Sequence, residues 1–143
     1  MSVLNRLIDR MRPTDVAHAH CDIPCGIYHP HDALQAADTV IRMTELMQEQ
    51  EQKGLDGIEA HNAMARYVQV KEEHAEKCKR ETLILWSDYF KPPHLEQFPD
   101  LHEKVWHACK TASYTKQHVD MEQARKLKSQ IEEIADIFWE TKK

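Results

Sequence analysis

The sequence has few glycines, no long apolar run and no excess of positive charge. Only three glycines occur in 143 residues, and the six prolines gather at a few points. Long stretches therefore run without breakers, which favours helices over a turn-rich β fold. No apolar run approaches the roughly 18 residues needed to cross a membrane. Net charge is −5, so there is no basic face for nucleic acid. Hydrophobic residues are 41% and charged ones 30%, a globular rather than a disordered composition. At this length one domain with a real core is expected. The four cysteines, Cys21, Cys25, Cys78 and Cys109, come without an export signal, which argues for reduced thiols rather than a disulfide scaffold.

What is present is concentrated in His20-Cys21-Asp22-Ile23-Pro24-Cys25-Gly26-Ile27-Tyr28. These nine residues hold an imidazole, two thiols, a carboxylate and a phenol. Pro24 and Gly26 set an irregular turn. Two thiolates and an imidazole suit zinc, copper, nickel or iron rather than magnesium or calcium. The Cys-x3-Cys spacing alone fits both a metal site and a structural loop with two incidental thiols. Cleavage between Ala19 and His20 would add an α-amine. The amine, the Cys21 amide nitrogen and two thiolates would then form a flat donor set, with the His20 ring free to bind from above. Such a set suits copper(II) or nickel(II), not tetrahedral zinc.

Residues 1 to about 12 place Val3, Leu4, Leu7, Ile8 and Met11 at helical spacing. They read either as a short packed helix or as a leader. Ala17-His18-Ala19 imitates a secretory cleavage site, but the apolar core of a signal peptide is missing. The segment 1–19 therefore reads as a cytosolic propeptide. Its three arginines against two aspartates leave −6 on residues 20–143.

Periodicity predicts four helices: about His31–Lys53, Ile58 to Leu85 or beyond, Leu95–Tyr114 and Val119–Glu140. Their stripes include Ala33, Ala37, Val40 and Met47 on the first and His74, Ala75, Cys78 and Thr82 on the second. Val105, Ala108 and Ala112 mark the third; Leu127, Ile131, Ile134 and Phe138 mark the fourth. Pro92 and Pro93 are expected to stop the second helix. The fold class is all-α, an antiparallel four-helix bundle over about 31–141, preceded by the irregular segment 20–28. Cys78 and Cys109 fall on apolar faces and read as packing residues. Trp86, Trp106 and Trp139 read as core or interface residues. The remaining histidines fall mostly at helix ends or polar faces.

The opening segment closely resembles the nickel hook of the nickel superoxide dismutase family, a mature N-terminus reading His-Cys-x-x-Pro-Cys-Gly-x-Tyr. A second match is Leu85-Trp86-Ser87-Asp88-Tyr89-Phe90-Lys91-Pro92-Pro93-His94, and a third is Ile137-Phe138-Trp139-Glu140-Thr141-Lys142-Lys143. The resemblance implies a propeptide over 1–19 and a mature domain over 20–143. It implies one nickel ion per subunit, held by His20, Cys21 and Cys25, with Pro24 cis. It implies superoxide as substrate, nickel(II)/nickel(III) cycling, and Tyr28 and Tyr89 beside the open face of the metal. Asp22, Asp88 and Lys91 join the expected site, Lys91 as a local attraction for an anion. A homohexamer, a processing protease, a nickel-delivery factor and a cytoplasmic location complete the expectation. Better-known members steady the axial imidazole with a glutamate and an arginine. Here those positions are Ala36 and His74, and His74 is expected to anchor the His20 ring instead. Two rivals remain. A nickel or copper carrier without turnover shares the hook but not the Asp88–Lys91 run. A thiol–disulfide switch on Cys21 and Cys25 needs no nickel.

Overall fold

The computed structural model of the protein describes residues 26–143, which contain helices and no strand. The helices are α1 (His31–Gln52), α2 (Ile58–Ile84), a single π turn (Leu85–Tyr89), α3 (Pro92–Gln97), α4 (Leu101–Gln117) and α5 (Met121–Glu140). The four long ones close a ring: α1 packs on α2, α2 on α4, α4 on α5 and α5 on α1. The bundle expected from periodicity is therefore present.

Each boundary has a local cause. At the start of α1 the His31 amide, which has no partner inside the helix, donates to Nδ1 of His29 at 2.9 Å. Gly54 ends the α1 region at φ +59°, a left-handed conformation that glycine adopts without strain. Asp120 caps α5 by accepting from the Gln123 amide at 3.0 Å. This cap starts α5 two residues later than the expected Val119.

Two expectations at the middle of the chain need correction. Pro92 and Pro93 do not stop α2. The long helix has already left α geometry at Leu85, and the prolines form the first turn of α3. Proline fits there because the first helical amides need no partner inside the helix. Lys91 before them is extended, at φ −121° and ψ 164°, as a residue preceding proline prefers. The expected helix 95–114 is also two helices, parted at Phe98-Pro99-Asp100. Phe98 lies ahead of Pro99 and is forced out of helical geometry, at φ −125° and ψ 76°.

The core is narrow on the α1 side and bulky on the α5 side. Ala33, Ala36 and Ala37 of α1 are buried against Leu127, Ile131, Ile134 and Phe138 of α5 and Leu101, Val105 and Ala108 of α4. Burying each large aliphatic side chain contributes about 1.5 to 3 kcal/mol. The same cluster continues to one end of the bundle through Leu85, Phe90 and Ile137, where Tyr28 and Tyr89 pack against it. That end is where the chain enters α1. The three tryptophans are not core residues: Trp86, Trp106 and Trp139 are 37%, 58% and 45% exposed. Trp86 instead spends its indole N–H on Nδ1 of His102, 2.8 Å away.

The structure adds one buried charge that no sequence pattern marks. Lys71 of α2 is 2% exposed, and its ammonium donates to the carbonyls of Thr115, Lys116 and His118. These carbonyls crowd the C-terminal end of α4, where helix geometry leaves acceptors without partners and the dipole favours a cation. Burial lowers the lysine pKa below its ordinary value. Lys71→Met keeps the length of the side chain but removes all three bonds. It should lower unfolding free energy by about 1 to 3 kcal/mol, since buried acceptors are left unpaired. Urea melts of the two proteins measure this; equal midpoints would show that the three contacts carry no stability.

Candidate metal centre

Gly26, Ile27, Tyr28 and His29 lead into α1, and Gly26 takes φ +70°. Pro30 is buried at the helix entrance. This directs Tyr28 toward the end of α2, where its ring lies 5.6 Å from that of Tyr89, tilted by 54°. Tyr89 owes its place to the π turn, in which the Phe90 amide donates to the Leu85 carbonyl five residues back at 3.0 Å. π turns are frequent at functional sites because they rotate the next residues out of helical phase.

Tyr89 is enclosed on several sides. Phe138 packs at 4.5 Å, Phe90 at 5.1 Å, and His94 stacks at 5.7 Å. The Lys142 ammonium stands 4.8 Å over the Tyr89 ring and 5.3 Å from Phe138, within cation–π range. The Tyr89 hydroxyl is 2.7 Å from the Thr141 hydroxyl. Next to this group, His29 meets Trp139 edge-on at 5.0 Å. The exit of the 20–28 segment, the 85–94 run and the 137–143 run thus converge at one end of the bundle. A pocket of about 190 Å³, lined by residues that include Tyr28, His29, Asp32 and Glu81, opens beside them. A larger apolar groove between Trp86 and Trp106 lies along α4 and includes neither tyrosine.

The expected site residues divide into three groups. His20, Cys21, Asp22, Pro24 and Cys25 lie outside the described residues. Tyr28, Tyr89, Asp88 and Lys91 sit at the common end. The Lys91 ammonium donates to the Asp88 carbonyl at 2.8 Å, and Asp88 Oδ1 is 2.8 Å from the Ser87 hydroxyl. His74 is half-buried on α2, about three turns before that helix ends at Ile84, with Nδ1 2.9 Å from the Val70 carbonyl. A carbonyl only accepts, so the Nδ1 proton is there and a neutral His74 presents Nε2 as an acceptor. The Asp32–Lys77 ion pair and the Gln50–Ala60 hydrogen bond set an antiparallel register of α1 and α2 that brings Ala36 level with His74. Sequence reasoning did not identify Thr141, Lys142 and His94 as neighbours of Tyr89. The signal for the first two lies in the 137–143 match, but no local pattern ties them to Tyr89.

The other thiols are poorly suited to hold a metal. Burial pushes the Cys78 thiol up to about 12, helped by neighbouring Cys109. Burial also raises Cys109, with Lys79 opposing. Both are free and are protonated at neutral pH, whereas the metal ligand is the thiolate. Among the described residues no group of three or more His, Cys, Asp or Glu side chains is placed to hold a metal ion.

Comparison with known proteins agrees with this arrangement. The profile of the family described as nickel-containing superoxide dismutase matches residues 15–142. A nickel superoxide dismutase of Streptomyces coelicolor is 39% identical over 131 residues, covering 92% of this chain and 94% of its own. One from Streptomyces seoulensis is 40% identical over 125 residues, covering 87% of this chain and 89% of its own. Among solved structures, a native nickel superoxide dismutase superimposes with a TM-score of 0.76 at 40% identity, covering 87% of this chain and all of that one. A crystal structure whose nickel ligation corresponds to the oxidised state gives 0.76 at 39% identity, with 86% and 98% covered. With the family profile spanning nearly the whole chain and relatives near 40% identity agreeing with it, the chain belongs to the nickel-containing superoxide dismutases, nickel-dependent oxidoreductases.

Proposed function

We propose that this protein, once residues 1–19 are removed, holds nickel through His20, Cys21 and Cys25 and dismutates superoxide there, with Tyr28 and Tyr89 guarding the approach. The observation that carries this reading is the meeting of Tyr28 and Tyr89, 5.6 Å apart, only three residues beyond Cys25. The donor set fits the metal. Two thiolates, the Cys21 amide and the freed His20 amine would supply a strongly donating set, with the His20 imidazole as a further ligand. Burial raises the Cys78 and Cys109 thiols and makes them poorer candidates for thiolate ligands. Nickel supplies one-electron chemistry between its +2 and +3 states. Two superoxide ions and two protons give one dioxygen and one hydrogen peroxide.

The residues around that chemistry have separable tasks. Cys21 and Cys25 donate charge that makes the higher oxidation state accessible. Asp22 and Pro24 shape the turn between the sulfurs. Tyr28 and Tyr89 narrow the entrance to small molecules and hold the water that delivers protons. Lys91 and Lys142 place positive charge at the entrance of a chain whose net charge is −5, which attracts an anion. Asp88 holds the Ser87 hydroxyl within the same turn. His74, with Nε2 as acceptor, steadies the remaining ring N–H of His20, directly or through water. The same reading gives the chain a homohexameric assembly, a processing protease, a nickel-delivery factor and a cytoplasmic location. No described helix is long and apolar enough to cross a membrane.

Three experiments test this reading. A chain beginning at His20 should bind nickel and remove superoxide, while one with an uncleavable Ala19–His20 bond should do neither. Full activity in the blocked chain would rule out the amine as a ligand. Cys21→Ser and Cys25→Ser should each abolish the nickel–thiolate absorption and turnover together. Cys78→Ser should cost stability and leave that absorption intact; a folded Cys78→Ser protein without it would mean the ligands lie elsewhere. His74→Ala should retain nickel but alter the oxidised-state spin-resonance spectrum and slow turnover. An unchanged spectrum and rate would remove His74 from the site.

A further inference from the structure

The Tyr89 hydroxyl has a single proton, and the structure fixes where it goes. Thr141 Oγ1 is 2.7 Å from the Phe138 carbonyl and 2.7 Å from the Tyr89 hydroxyl. A carbonyl oxygen accepts and never donates, so the threonine proton is committed to Phe138. Thr141 can then only accept from Tyr89. The phenol proton points toward Thr141, just beyond α5. What Tyr89 keeps for any other partner is oxygen lone pairs.

We propose that Thr141 is a positioning residue that turns Tyr89 into a hydrogen-bond acceptor at the metal entrance. The claim rests on the reading of Tyr89 as a gate residue. Its chemical consequence is selective. An acceptor at the gate binds molecules that carry a proton, such as water or hydrogen peroxide, and gives no hydrogen bond to the superoxide anion. Donors for the anion must come from elsewhere at the site. Tyr89 is thereby assigned to holding proton-bearing water and the product side of the reaction.

The surroundings leave little freedom to the arrangement. Lys142 stands over the Tyr89 and Phe138 rings and clamps the segment after α5 onto both. His94 covers the ring as a stacked neighbour, and its Nδ1 accepts from the Lys91 amide at 3.1 Å. His94 Nδ1 is thus occupied. Among the described residues, Lys142, His94 and Tyr28 are titratable groups against the Tyr89 ring. Thr141 and Tyr89 are 52 residues apart in sequence, so the contact is tertiary and stems from no helical repeat.

The experiment compares Thr141→Val and Thr141→Ser in nickel-loaded protein beginning at His20. Valine keeps the shape and removes the acceptor; serine restores it. The readout independent of turnover is the resonance of the phenolic carbon of Tyr89, in protein with ring-labelled tyrosine, assigned by its loss in Tyr89→Phe. Thr141→Val should shift this resonance, and Thr141→Ser should keep it at the wild-type position. Turnover should fall roughly three- to tenfold in Thr141→Val, the size expected for one hydrogen bond, with nickel content unchanged. An unmoved resonance in Thr141→Val, or an equal shift in both variants, would overturn the proposal. The gate reading fails separately: wild-type turnover in Tyr89→Phe would remove Tyr89 from the reaction, while the resonance still decides what Thr141 does.

Discussion

The hydrogen bond from the Phe90 amide to the Leu85 carbonyl is the constraint on which the candidate site depends. It spans five residues where an α-helix spans four. One extra residue in a turn displaces the chain beyond it by about 100° around the helix axis. That displacement lets α2 end with Tyr89 against Tyr28 and Phe138, and with Phe90 still buried in the core. The extended Lys91 and the prolines behind it then prevent the chain from resuming the α2 axis.

Charge at the surface has a different role from charge at this end. Most ion pairs of the bundle join exposed side chains, and such pairs contribute little to stability. Several of them link neighbouring helices, Asp32 with Lys77, Glu76 with Lys116, Asp38 with Lys128 and Lys104 with Glu133. Their value lies in register: each favours one alignment of two helices whose small-residue faces would otherwise slide. Lys71 acts from inside the bundle, tying α2 to the end of α4 through three carbonyls. At the candidate site, Lys142 stands over the Tyr89 ring and Lys91 bonds the Asp88 carbonyl, two positive charges in a chain of opposite net sign.

The bundle is legible in the sequence because its information is local. Stripes such as Val40, Leu127, Ile131 and Phe138 repeat at helical spacing, and the structure buries all of them. The prolines mislead because the rule that they end helices has a counterpart: they also begin them. Phe98-Pro99 breaks the third helix for a reason visible in the sequence, the restriction on a residue before proline, which the apolar stripe outweighs in a reading by periodicity. The site is legible in part. Tyr28 and Tyr89 are named by the resemblance and are found together. Thr141 and Lys142 are not, because a side chain reaching across 52 residues leaves no periodic trace. The proposed ligands His20, Cys21 and Cys25 rest on their chemistry and on the resemblance, since they lie outside the described residues.

The departure at Ala36 and His74 has a physical logic of its own. In better-known members these positions hold a glutamate and an arginine, and the register of α1 and α2 brings the two positions level. Ala36 is fully buried. A carboxylate at such a position is tolerable only with a partner, because an unpaired buried charge costs several kcal/mol. Opposite a histidine rather than an arginine, a glutamate at 36 would lack that guanidinium partner. Alanine at 36 is the residue that a buried helix interface accepts at no electrostatic cost. Under the proposed function, the imidazole at 74 would meet the requirement by another route. Its Nδ1 proton is committed to Val70, which leaves one defined acceptor and no need for a counter-charge. A neutral acceptor steadies a donor ring by hydrogen bonding alone, where the ionic pair adds charge. Under that reading the two arrangements would serve one positioning task with different demands on the bundle. The neutral one asks less of a core built largely from alanine on this side.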